Sequence, residues 1–506
     1  MQRPLLQFPA TALIFVSVLW IKAIYPPASG IVDPDFYWHL STGRWILEHG
    51  ALPEVDQFSW SLPGEPYRIT QWLGEFVMAA AYELGGLQAT KALSVTLAGV
   101  TIFFAWRAAH LFLGNSMLAL WLAILCNLVN VVTPLRPQIF SFAAMAVLAF
   151  LLASWVRRPR LTILLPVPAL MALWANWHGG YVVGLLLLFV FCCCQAFEMY
   201  RVQADGDRRR QVLWLFGASF VAVLATLLNP YGVGAWWSVL LVSGLQSSAV
   251  IEEWKAVQIT TEMGWFLMMS AVPFLASLTI ARRPPLTAVV LGCLFLFFGA
   301  TANRQVAFAG AILPFVTAWI LAGSGQIRQI CDTTPNPSRP VLYTAILSAL
   351  LAVAPWIQAK GDYTWESTMD GLFPASAHRF LETHGLTERV LADVPESNYL
   401  MFHGLKVSID SRMDYYRDRF FFDYLLANRG APGWAEWLDR MNPATLLLRH
   451  EVALRQLALA SGHWKLVYQD DRYSVLVPVG SGVPEVPARS LEYLDGHGRL
   501  IRNYRP

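Results

Sequence analysis

Two carboxylates and an imidazole fall within seven residues in the stretch Asp33-Pro34-Asp35-Phe36-Tyr37-Trp38-His39. It follows the first apolar run of a very hydrophobic chain, where a membrane helix would release the backbone into water. A carboxylate in that place can take the proton of an acceptor hydroxyl. It can also hold a divalent cation, magnesium or manganese, against a diphosphate. Phe36, Tyr37 and Trp38 suit headgroup depth, where amphipathic aromatics settle. The competing reading is an ordinary aromatic belt beside two solvated acids.

Other residues of the same chemical kind lie far along the chain. Arg136 sits in Pro134-Leu135-Arg136-Pro137, a stiff turn that presents a bidentate guanidinium to a lipid-linked phosphate, unless it only snorkels to headgroups. Arg304, between Asn303 and Gln305, has the same two readings. His178, in Trp174-Ala175-Asn176-Trp177-His178-Gly179-Gly180, stands at a helix break. It is either a substrate contact or metal ligand, or part of a cap made with Asn176. Glu252 and Glu253 offer two more hard oxygen ligands that could complete a metal site with Asp33 or Asp35. Glu48, Glu54 and Asp56 read as loop solvation, and the Asp410-Ser411-Arg412 cluster either as a sugar contact or as a pair pinning its own loop.

The elements that must position these residues are membrane helices. The chain has 506 residues, 56% hydrophobic and only 14% charged, where a soluble chain carries about 25% charged residues. Apolar runs near 10–26, 88–106, 116–134, 138–156, 161–175, 180–199, 211–228, 263–281, 286–301, 306–323 and 341–358 predict eleven spans. The amphipathic stretch Trp72 to Leu84, closed by Gly85-Gly86, is too short to span and is expected on the membrane surface. Arg157-Arg158-Pro159-Arg160, Arg201 with Arg208-Arg209-Arg210, and Arg282-Arg283 place their loops in the cytoplasm. The N-terminus is then cytoplasmic, and all the candidate residues gather on the outer face. The expected division is a membrane domain over 1–358, with a first outer loop at 27–87, and an extracytoplasmic soluble α/β domain over 359–506.

In that second domain, strands are expected at 389–394, 406–410, 445–448, 465–468 and 473–478, with helices at 375–383, 433–440 and 452–460. The six cysteines form neither a disulfide framework nor a zinc spacing. A net charge of +3 and the absence of glycine-rich phosphate motifs give no support to nucleic-acid or nucleotide binding.

Asp33-Pro34-Asp35-Phe36 resembles the acidic start of the first outer loop in the catalytic subunit of oligosaccharyltransferase, and Asp35-Phe36-Tyr37-Trp38 the corresponding frame of protein O-mannosyltransferases. His39 to Gly50 looks like the first juxtamembrane helix of such proteins. The chain thus resembles the GT-C superfamily of polyprenyl-phosphate-dependent glycosyltransferases, which includes the aminoarabinose transferases. The likeness covers 1–358 in layout and 33–75 in motif. It departs from the family in lacking the Asp-Glu pair, and in placing Arg136 where a second acid is expected.

The resemblance implies a GT-C-like polytopic helical protein of the bacterial inner membrane. It would move a sugar from a polyprenyl-phosphate donor to a glycan, lipid or protein acceptor outside the cytoplasm. Asp35 or Asp33 would be the catalytic acid, and Arg136, Arg304, His39, His178 and Asn176 would bind substrate. The alternative is a non-catalytic membrane component that binds or translocates lipid-linked glycans, which should carry ionisable groups in mid-span.

Overall fold

The computed structural model describes residues 10–24, 33–203, 205–333 and 372–486. The expected span at 341–358 and the tail from 487 lie outside these residues. The described chain divides into two compact units, one of 10–24, 33–52, 68–203 and 205–333, the other of 53–67 and 372–486.

The first unit is helical throughout: α1 (Ala10–Ile24), α2 (Pro34–His49), α3 (Trp72–Leu113), α4 (Ser116–Cys126), α5 (Leu128–Val132), α6 (Gln138–Arg157), α7 (Leu161–Leu164), α8 (Pro166–Trp177), α9 (Tyr181–Arg201), α10 (Gly206–Ala225), α11 (Gly234–Gly244), α12 (Glu262–Ile280), α13 (Leu286–Thr301), α14 (Val306–Leu321) and α15 (Gly325–Thr333). Among the described residues, α3, α6, α9, α12 and the stretch Asn303–Leu321 are long and apolar enough to cross a membrane, and shorter apolar helices accompany them. This is a multi-pass membrane protein.

Local chemistry explains the breaks. Asp33 caps α2, its Oδ1 accepting from the Asp35 N–H at 3.1 Å, and Pro34 sits where its missing donor costs nothing. Gly50, at φ 61°, ends the helix in the left-handed conformation that glycine tolerates. The helix α3 is kinked at Gly85 and Gly86, separating its amphipathic start from the apolar remainder. Read as single spans, 116–134 and 161–175 are each two helices. The first breaks at Asn127, whose Nδ2 donates to the carbonyls of Ala123 and Gly310; the second breaks ahead of Pro166. The stretch 229–262, expected as loop, contains α11 and two 3-10 turns at Gln246–Val250 and Glu252–Trp254.

The core is α14, buried along nearly its whole length. Ala307, Ala309, Gly310 and Ala311 let neighbouring backbones come close, and a Cβ on Gly310 would collide with the Cys126 carbonyl. Against α3, helix α2 approaches so closely that a Cβ on Gly43 would strike the Glu75 carbonyl.

In the second unit, the sheet order is β1-β2-β4-β3, with β1 (Val390–Ala392), β2 (Thr445–Arg449), β3 (Trp464–Gln469) and β4 (Tyr473–Pro478). The β1 and β2 strands run parallel, and the other two pairs antiparallel. Helices α16 (Ala375–Thr383), α19 (Trp434–Met441) and α20 (Ala453–Ala460) match sequence expectation, whereas α17 (Val394–Phe402) and α18 (Met413–Asn428) were not foreseen. The expected strand at 406–410 is an extended piece held by isolated bridges, Val407 pairing with both Val390 and Ser59. Ser59 belongs to the first loop, so residues of that loop form the outermost rung beside the sheet.

Candidate active site

The first unit gathers most of the singled-out residues at one end of its bundle. Helix α2 begins with Asp33 and Asp35; the turn between α5 and α6 carries Arg136, and a 3-10 turn carries Glu253. Arg136 holds Asp33 with two nitrogens, Nε on Oδ2 and Nη2 on Oδ1, the latter at 2.7 Å. Its Nη1 meets Asp35 at 2.9 Å and Glu253 at 2.6 Å. Burial alone would weaken this charge, but the carboxylates of Asp35, Asp33 and Glu253 hold the guanidinium well above the ordinary arginine range. The two aspartates differ in access: the Asp33 side chain is 4% exposed and that of Asp35 27%.

The turn bearing Arg136 is fixed from below by Lys22 of α1. The Lys22 ammonium is fully buried and donates to the carbonyls of Asn130, Val131 and Thr133, at 3.3, 3.2 and 2.8 Å. In the sequence this lysine is simply one residue of the first apolar span. The arrangement satisfies the orphan carbonyls at the end of α5 and leads directly into Pro134-Leu135-Arg136.

Every nitrogen of the Arg136 guanidinium thus faces a carboxylate oxygen. Arg304 is different. Among the described residues no acid lies within ion-pair distance of it: its Nη2 donates to Gln138 at 3.4 Å and its guanidinium lies 4.4 Å from the Trp254 ring centre. Glu252 turns instead to Lys255, at 2.6 Å, and its backbone carbonyl accepts from Asn303. The expected metal set therefore does not fit. Glu252 is directed elsewhere, both oxygens of Asp33 and one oxygen each of Asp35 and Glu253 face a guanidinium, and no metal-holding group of three or more His, Cys, Asp or Glu occurs among the described residues.

Both candidate histidines have one nitrogen committed. The His39 Nδ1 lies 2.8 Å from Glu75 Oε1, which also accepts from Gln71 at 3.1 Å. Burial first, then the positive charge of Arg136, holds the His39 imidazole well below its ordinary value, so it is neutral near pH 7. Glu75 was read only as an acid of an amphipathic helix; no local spacing ties it to His39, 36 residues earlier. His178 Nδ1 accepts from the Gly180 N–H at 2.9 Å and pairs with Ser141 Oγ at 2.9 Å, Ser141 in turn accepting from Trp174. An accepting Nδ1 puts the proton on Nε2, which is left as a donor. Burial, with Arg304 nearby, pushes His178 down to about 3.

Asn176 ties three segments together. Its Nδ2 donates to the carbonyls of Ala172 and Leu228, and its Oδ1 accepts from Trp72 Nε1 at 2.8 Å.

No protein-family model matches the sequence, and no curated protein matches it. Solved structures do resemble the fold. The oligosaccharyltransferase of Archaeoglobus fulgidus in its apo form superposes with a TM-score of 0.55 at 11% identity, over 94% of this chain and 75% of that one. The oligosaccharyltransferase AglB from the same organism, in complex with an inhibitory peptide and a dolichol-phosphate, gives 0.51 at 10% identity, over 93% and 75%. ArnT from Cupriavidus metallidurans in the apo state gives 0.50 at 15% identity, over 94% and 99%. With its apolar helices and small C-terminal sheet, the chain has the fold of these solved structures.

Proposed function

We propose that the protein is a membrane glycosyltransferase that moves a sugar from a polyprenyl-phosphate-linked donor to an acceptor outside the cytoplasm. The observation that carries the reading is the convergence of Asp33, Asp35 and Glu253 on Arg136, with Arg304 beyond ion-pair distance of any acid among the described residues, at one end of a GT-C-like bundle. A neighbour of this fold binds dolichol-phosphate. The remaining roles follow from access. Asp35, the more open aspartate, takes the proton of the acceptor hydroxyl as its oxygen attacks the anomeric carbon. The bond from that carbon to the phosphate oxygen breaks, and polyprenyl phosphate leaves with the electron pair. Arg304 and the Nε2–H of His178 meet the charge growing on that phosphate, the placement that lowers such barriers most. Asp33 and Arg136 keep the acids in register, and no step here is routed through a metal.

The proposed orientation has the N-terminus in the cytoplasm of a bacterial inner membrane and the second unit outside. Support comes from α6, which starts two residues after Arg136 and ends at Arg157, about 30 Å away at 1.5 Å per residue. The basic cluster is therefore at the opposite end from the acidic site, as the positive-inside rule requires. Lys22 does not revive the translocator reading, because its ammonium bonds three backbone carbonyls instead of lining a path.

Binding of a short-chain polyprenyl phosphate to the purified protein in detergent tests the donor site. Wild type should bind, and Arg304→Ala should bind roughly tenfold or more weakly, since a hydrogen bond to a charged group contributes about 1.5–3 kcal/mol. Equal binding by both would remove Arg304 from the donor site.

A further inference from the structure

Residues 53–67 are contiguous in sequence with the first unit's α2 and α3, yet they pack as part of the second unit. They form a closed excursion: Asp56 N–H donates to Glu65 O at 2.9 Å, Tyr67 N–H donates to Glu54 O at 3.3 Å, and Val55 pairs with Pro66. Its tip lies along an extended segment of the second unit. Trp60 N–H donates to Val407 O at 3.0 Å, Val407 N–H to Phe58 O at 2.9 Å, and Trp60 Nε1 to Val390 O at 3.1 Å. The Tyr415 hydroxyl donates to the Leu62 carbonyl.

At the centre is Arg412, whose side chain has no exposed surface. Its Nε and Nη2 hold Asp410 at 2.8 and 2.6 Å, and its Nη1 holds Asp56 at 2.5 Å. The rings of Phe58, Tyr67, Tyr415 and Tyr416 surround the guanidinium at 4.9–5.9 Å. Asp56 is equally buried and accepts from Ser59 N–H at 2.8 Å and Ser59 Oγ at 2.5 Å. Asp56, expected to be a solvated loop acid, is thus an interior ion-pair partner. Arg412 pins its own loop through Asp410, as expected, and in addition reaches 356 residues back to Asp56.

We propose that the loop segment 53–67 is an integral part of the second unit, and that Arg412, through Asp56, is a positioning residue for the transfer reaction. The segment leaves α2, which carries Asp33, Asp35 and His39, and re-enters at α3, which carries Glu75. Gripping it closes both ends of the connection between those two helices. Two aspartates on one guanidinium, ringed by aromatics, make a fixed joint: without Arg412 two carboxylates are left buried and unpaired, and without the Asp56 charge the guanidinium keeps only Asp410, so the grip on the segment is lost. The role in catalysis rests on the glycosyltransferase reading; the tether does not.

The test uses the full chain with a specific protease site introduced between residues 334 and 371, cut after purification in detergent. In wild type, the fragment carrying residues 372–486 should stay bound to the N-terminal fragment, because 53–67 belongs to it. Asp56→Asn and Arg412→Met should release it, and Arg412→Lys, which keeps the charge, should retain an intermediate share. Release from the cut wild type, or equal retention by wild type and both disrupting variants, would overturn the tether whatever the protein catalyses. For the positioning role, uncut Asp56→Asn should lose roughly 10–100-fold in transfer rate, the scale set by small misplacements of reacting groups, while binding polyprenyl phosphate as wild type does. Unchanged transfer, or an equal loss of donor binding, would overturn that role. Should Arg412→Met fail to accumulate, Asp56→Asn and Arg412→Lys give the same comparison.

Discussion

Arg136 and Asp33, 103 residues apart, are joined by a two-nitrogen grip, and the same Asp33 carboxylate caps helix α2 through the Asp35 N–H at 3.1 Å. One aspartate therefore fixes both where α2 begins and where the guanidinium points. This leaves Asp35, in the first turn of the same helix, as the acid with room for a substrate.

That relationship separates the two aspartates experimentally. Asp35→Asn is expected to reduce transfer by roughly 10²–10⁴-fold, the usual cost of a lost general base, at unchanged thermal stability. Asp33→Asn keeps a good N-cap but loses its charge, so it should lower the melting temperature as well as activity. A fully active Asp35→Asn beside a well-folded, inactive Asp33→Asn would move the proton transfer to Asp33.

Removing Arg136 should cost stability before it costs donor binding. Arg136→Ala leaves three carboxylates facing one another, and breaking a buried pair this way typically costs about 3–5 kcal/mol. Thermal unfolding in detergent reads this directly. A variant as stable as wild type that has merely lost polyprenyl-phosphate affinity would restore Arg136 to the phosphate.

Lys22→Met keeps the length and apolar stem of the side chain while removing three donors. Each carbonyl left buried and unpaired costs about 1–3 kcal/mol, so amide exchange around 129–136 should speed up and activity should fall. Unchanged exchange there would show that the turn holds itself.

How much of this was legible in the sequence depended on range. Asp33, Asp35 and Arg136 stood out because proline and aromatic neighbours mark them locally, and the kink at Gly85-Gly86 and three of the C-terminal helices followed from periodicity and glycine. What pairs with what was not legible. Glu75 with His39, Glu253 with Arg136, and Lys22 with the end of α5 are tertiary pairings between segments with no shared local pattern. Asp56 is the plainest case. It lies among Pro53, Pro63, Gly64 and Pro66, which read as a solvated turn region, and only its partner in the distant C-terminal unit makes it interior. The break at Asn127 was hidden for another reason, since one asparagine within an apolar run hardly changes its mean hydropathy.

The second unit offers a pH signature. Burial raises the Asp414 carboxyl from its ordinary 3.8 to about 6. Between those values the folded chain keeps a proton that the unfolded chain has released, so raising the pH through that window lowers stability. The penalty is complete above about pH 6. Asp414→Asn should therefore stabilise the unit at pH 7.5, seen as slower amide exchange across α18, and the gain should vanish below pH 3.8. A gain that persists in acid would mean the carboxyl is not the cause.

The central claim is transfer from a lipid-linked phosphate donor, and the direct measurement is product release. Purified protein in lipid vesicles is given a panel of polyprenyl-phosphate-linked sugars with cell-envelope extract as the acceptor source, and free polyprenyl phosphate is quantified for wild type and Asp35→Asn. The expected result is release by wild type with at least one sugar, matched by labelled sugar on an acceptor, and at least a hundredfold less release by Asp35→Asn. Release by Asp35→Asn at the wild-type rate, or donors left intact by wild type across the panel, would contradict it.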